Sequence, residues 1–88
     1  MASARDLQIA QKTKELLQAQ DHIGLGRRRL TQQQVRISRL LKDGHPVEQA
    51  EAVLKTLEQS QQINEQHFNR IESELNELRN PQLREGAR

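Results

Sequence analysis

The chain has 88 residues, a formal net charge of +2 and no cysteine, so it can hold one small domain and can build neither a disulfide framework nor a cysteine-ligated metal site. Hydrophobic residues make up 33% and charged residues 30%, with Phe68 the single aromatic, a balance that suits long amphipathic helices better than a compact core. No run of about 18 apolar residues is present to cross a bilayer, and Met1 to Gln20 lacks the apolar stretch of a secretory signal, so the expectation is a cytoplasmic protein that does not enter membranes.

Ser3 followed by Asp6 has the spacing of a capping box, in which the hydroxyl accepts from an orphan N–H and the carboxylate sits in the positive first turn. A first helix is therefore expected over 3–42. Ile9, Leu16, Ile23, Leu30 and Ile37 recur every seven residues along it and form an apolar ladder. The seats between them are ambiguous: Lys12 or Thr13, Ala19 or Gln20, Gly26 or Arg27, Gln33 or Gln34, then Leu40 and Leu41. Gly24 and Gly26 each cost about 1 kcal/mol relative to alanine inside a helix. The unbroken ladder favours one continuous helix whose glycines admit a neighbouring group. The competing expectation is a kink over 24–30, with Thr31 and Gln34 capping a restarted helix.

Lys42-Asp43-Gly44-His45-Pro46 is the clearest turn. Gly44 can take the left-handed conformation that closes a helix, and Pro46 suits the first position of the next one. The turn is placed at 43–46 and the second helix at 47–79, ending before Pro81, which cannot continue it. Residues 1–80 form one domain in this reading, and 81–88 a flexible tail. Along the second helix a heptad repeat runs through Val47, Ala50, Leu54, Leu57, Gln61, Asn64, Phe68, Ile71, Leu75 and Leu78. Eight of these ten are apolar, a stripe that needs a partner helix.

A linker this short makes the helices antiparallel neighbours. The expected fold is all-α, a long coiled-coil-like hairpin whose seam joins Ile9, Leu16, Ile23, Leu30 and Ile37 to Leu54, Leu57, Phe68, Ile71, Leu75 and Leu78. A symmetric turn would set Ile37 near Ala52, Leu30 near Gln59, Ile23 near Gln66 and Leu16 near Ser73. Leu7, Leu17, Leu25, Val35, Val53 and Ile63 fall off the seam and would be wet. Pairing of two copies into a four-helix bundle would cover them, so a homodimer is expected, with a larger protein partner as the other occupant. Gln61 and Asn64 would then set register as a polar layer, or the stripe would rotate and carry both to water.

Charge is divided between the helices. Residues 22–42 hold six basic side chains and no acid, whereas 47–78 hold two basic and seven acidic ones. Glu51, Glu58, Glu65 and Glu72 recur every seven residues, as do His22, Arg29 and Arg36. The first expectation is that these rows pair across the seam and set orientation. The alternative takes Arg28, Arg29, Arg36, Arg39 and Lys42, which share one arc of a helix, as a nucleic-acid contact of a basic DNA- or RNA-binding regulator. Against it stand the missing stacking aromatics and an acidic helix alongside.

His22 and His67 face each other in this map, but without a local ligand motif they are read as seam-edge side chains, so no metal and no cofactor is expected. No nucleophile motif, phosphate loop or complete dinucleotide fingerprint is present, and the reading is a non-enzyme.

The order His22-Ile23, Gly26, Arg28-Arg29, Ile37, Leu40, Asp43-Gly44-His45, Ala50, Leu54, Leu57-Glu58, Ser60, His67, Ile71 and Glu74-Leu75 resembles that of small bacterial helical-hairpin proteins of largely unassigned function. The resemblance covers residues 22–75. It implies a bacterial hairpin with no catalytic residues to carry over. The function expected from all of this is a protein-protein interaction or regulatory module that self-associates.

Overall fold

The computed structural model describes residues 3–80; the segment expected to be a tail lies outside the described residues. Two helices, α1 (Ala4–Lys42) and α2 (Glu48–Arg79), form an antiparallel hairpin 63 × 32 × 14 Å in extent. The thinnest dimension is about one helix diameter, so the molecule is a ribbon two helices wide with solvent on both faces.

Local chemistry accounts for where α1 starts and stops. The Ser3 hydroxyl accepts from the Asp6 N–H at 3.1 Å while the Asp6 carboxylate accepts from the Ser3 N–H at 3.3 Å, the reciprocal capping box. At the other end His45 N–H donates to Leu40 C=O at 2.8 Å and Gly44 N–H to Leu41 C=O at 3.1 Å. These two bonds make a Schellman closure, and Gly44 carries the left-handed φ of 72° that it requires.

Between its caps α1 is unbroken. Thr31, expected to cap a restarted helix if the chain kinked, instead donates its hydroxyl to Arg27 C=O one turn back. The start of α2 differs in detail from expectation. Val47, not Pro46, borders the helix, as an N-cap whose side chain makes no capping bond. Val47 is half-buried at the first seat of the stripe, so the position serves packing rather than capping.

The seam follows a strict alternation of three and four residues. In α1 it runs through Ile9, Lys12, Leu16, Ala19, Ile23, Gly26, Leu30, Gln33, Ile37 and Leu40, all buried or half-buried. Thr13 is half-buried beside Lys12, but Gln20, Arg27, Gln34 and Leu41 point to solvent. All ten heptad seats of α2 are likewise buried or half-buried. Yet the core is slight: Ala19, Ile23, Ala50, Ile71, Leu75 and the polar Gln61 are its buried members, and no described side chain is fully sealed from solvent.

The axial register stays close to the symmetric map, with Arg36 beside Val53 and Gln61 against Gly26, while the long side chains of Gln61 and Gln33 reach along the seam to Ile23 C=O and Ala50 C=O.

Candidate interaction surface

The seam residues singled out by periodicity come together as one interface. Ile23, Ile71 and Leu75 are buried, while Ile9, Leu16, Leu30, Ile37, Leu54, Leu57, Phe68 and Leu78 are half-buried along its length. Within one chain this surface is already occupied, each helix by the other. What remains to meet a partner is the outside of the ribbon, and the bonds that set the two helices against each other decide what that outside presents.

Four polar side chains cross the seam. At the centre, Gln61, 6% exposed, donates its Nε2 to Ile23 C=O at 2.9 Å. That carbonyl lies inside α1 and has a second lone pair to offer. Gly26, one turn on, leaves it uncovered, because a Cβ there would overlap Gln61 Oε1. The Oε1 itself is buried without a partner. Towards the turn, Gln33 Nε2 donates to Ala50 C=O at 2.8 Å. At the open end Arg5 donates from Nε to Leu78 C=O at 2.6 Å and from Nη2 to Arg79 C=O at 3.0 Å, covering two of the orphan carbonyls of α2.

Lys12 supplies the fourth link, an ion pair and hydrogen bond to Glu74, with Glu15 at 3.4 Å on its own helix. The hydrogen bond from Lys12 holds the Glu74 carboxyl below its usual range, and the same bond raises Lys12 above its own. Sequence reading assigned none of these four roles. A signal existed for Gln33, Gln61 and Lys12, since each sits in a seam seat where a polar side chain must find a partner.

The charged rows do not pair as expected. Among the described residues the ion pairs within 4.0 Å are those of Lys12, and none joins Arg29 or Arg36 to the glutamate row. The cause is sidedness. In an antiparallel pair like flanks meet, so the flank of α1 that bears His22, Arg29 and Arg36 faces Val53, Ser60 and His67. Grooves along the ribbon bear this out: Arg36 shares one with Gln49 and Val53, and Arg27 shares one on the other side with Glu65 and Phe68. The ribbon thus has an acidic flank with Glu51, Glu58, Glu65 and Glu72 and, on its other side, a basic flank.

Arg28, Arg29, Arg36, Arg39 and Lys42 are all exposed on or beside that basic flank. His22 and His67 are exposed on it too, and the described residues contain no group of three His, Asp or Glu placed to hold a metal ion. The polar layer expected from Gln61 and Asn64 is also resolved differently. Gln61 is neither in water nor reserved for a second copy, because the Gly26 notch lets it bond within its own chain.

Leu7, Leu17, Leu25, Val35, Val53 and Ile63 are exposed, and Leu41 joins them at 61% because Leu40 takes the seam seat. Five of these seven lie on α1. Leu7 and Leu25 are 18 residues apart, as are Leu17 and Val35, which is five whole turns, so each pair is aligned on the outer face. No helix among the described residues is long and apolar enough to cross a membrane. No protein-family model, curated protein or solved structure matches the chain.

Proposed function

We propose that the protein is a non-catalytic helical interaction module that works as a self-associated hairpin, two copies forming a four-helix bundle. The observation that carries this reading is the exposure of seven large apolar side chains on a ribbon whose own seam seals none of its side chains completely. A two-helix interface of this kind is marginal alone, and a second layer supplies the burial it lacks.

The flank bearing Leu17 and Leu41 is where the second copy docks, covering these two, whereas Val53 lies beside Arg36 on the other flank. Their neighbours on that flank of α1 are small (Ala10, Gly24, Thr31 and Ser38), and the space over Gly24 is open, so another helix can approach closely. The glutamate row of one copy then lies over Arg27 and the neutral Gln20 and Gln34 of the other. The resemblance of residues 22–75 to small bacterial hairpin proteins supports reading it as a bacterial module.

Sedimentation equilibrium over a concentration series tests the reading. A dimer is expected, and L17E/L41E is expected to give a monomer that is less helical at low concentration. A wild-type chain that stays monomeric and fully helical at every concentration overturns the proposal.

A further inference from the structure

The basic flank is the largest charged feature that no contact within the chain accounts for. Arg28, Arg29, Arg36, Arg39 and Lys42 are exposed, and among the described residues none of them lies within ion-pair distance of a carboxylate. No acid occurs in α1 between Asp21 and its end, and the residues of α2 on this flank near the turn, Gln49, Val53, Thr56 and Ser60, are uncharged. The four heptad-spaced glutamates, which on sequence grounds would repel a phosphate chain, lie on the other side of the ribbon.

We infer that this flank is a sequence-independent contact for the phosphate backbone of a duplex nucleic acid. From Arg28 to Lys42 the strip spans about 21 Å at 1.5 Å per residue. A duplex presents about one phosphate per 1.7 Å of axis, so that length offers more than enough anions for five cations. Four of the five are arginines, whose fork of donors matches phosphate oxygens.

The same geometry excludes other polyanion surfaces. Phe68, the single aromatic, is half-buried in the seam, so no stacking platform exists for unpaired bases. A membrane-surface helix needs a continuous apolar stripe beside its basic one; the seam stripe of α1 is turned to α2, and the exposed Leu25, Val35 and Leu41 near the basic strip point in different directions around the helix. Arg29 and Arg36 lie on the opposite flank from Leu17 and Leu41, so a second copy docked over those residues leaves them open, while Arg39 and Lys42 share a groove with Thr31, Gln34 and Ser38 at the edge of that contact. The inference does not depend on self-association.

Fluorescence anisotropy of a labelled mixed-sequence duplex, titrated with the full chain at several salt concentrations, is the test, with light scattering on the same samples to record oligomeric state. Binding is expected, with log K falling against log[salt] at a slope of about −4.5 for five neutralised phosphates. R29Q/R36Q/R39Q, all at exposed sites, should keep the helical spectrum, cut the slope by about 3 and lower affinity at low salt by at least about tenfold. E58Q/E65Q, on the opposite flank, should bind as the wild type does or somewhat tighter. No binding at the lowest salt, or equal binding by the triple arginine variant, overturns the inference. Loss of salt-sensitive self-association in the arginine variant without any duplex binding assigns the strip to a second copy, and equally overturns it.

Discussion

The carboxamide of Gln61 occupies the space that a side chain at residue 26 would fill: a Cβ there would overlap Oε1 and lie 2.9 Å from Cδ, while the amide donates to Ile23 C=O at 2.9 Å. One glycine therefore does two things. It uncovers a mid-helix carbonyl, and it houses the group that bonds to it. Gly24, two residues earlier, meets nothing within 4 Å.

The two glycines should respond oppositely to the same change. Gly24→Ala adds helix propensity in open space and is expected to stabilise the hairpin by about 0.5–1 kcal/mol. Gly26→Ala gains the same propensity but expels a buried amide from its bond, at a cost of about 1–3 kcal/mol. A net loss of about 1 kcal/mol is expected. Urea unfolding followed by circular dichroism should rank the proteins G24A, wild type, G26A in order of falling stability, and a G26A variant as stable as G24A would remove the notch from the account.

Arg5 ties the open end. Its guanidinium bonds two terminal carbonyls of α2 and places a positive charge at the negative end of that helix dipole. Arg5→Ala should cost about 0.5–1.5 kcal/mol, as expected for hydrogen bonds that involve a charged group at an exposed site. Amide hydrogen exchange gives the sharper reading. Protection should fall in the last turns of α2 and at the start of α1, and stay unchanged near Gly44.

The Lys12–Glu74 link makes stability depend on pH at both extremes. Glu74 has its carboxyl held down in the folded state, so its contribution is present above the unfolded carboxyl pKa and is lost as pH falls through the lower folded value. Lys12 is raised, so its contribution is present below the unfolded ammonium pKa and is lost as pH rises through the higher folded value. Melting temperatures of wild type and Glu74→Gln should therefore differ most across the neutral range and converge at strongly acidic and strongly alkaline pH. A difference that persists unchanged at acid pH would show that the ion pair is not its source.

Much of the fold was legible in the heptad spacing. The seats 9, 16, 23, 30 and 37 and their counterparts in α2 define which face of each helix is turned inward, and the same count predicted the wet positions Leu7, Leu17, Leu25, Val35, Val53 and Ile63. Leu41 escaped because adjacent leucines fit the period equally well until the three-four alternation is carried through from Gly26 and Gln33. The charge rows were legible as rows but were paired wrongly. Periodicity records that Arg29, Arg36 and Glu58 flank a seam, whereas which flank of one helix meets which of the other follows from antiparallel geometry.

By itself, then, the amino-acid order determined two helices, the caps at both ends of the first, a Gly44 turn and an apolar stripe on each helix, because these depend on neighbours within a few residues along the chain. Tertiary structure alone decided which polar side chains lock the helices together: Gln61, Gln33 and Arg5 reach across to backbone carbonyls of the other helix, contacts between residues 17 to 74 positions apart that no local repeat encodes.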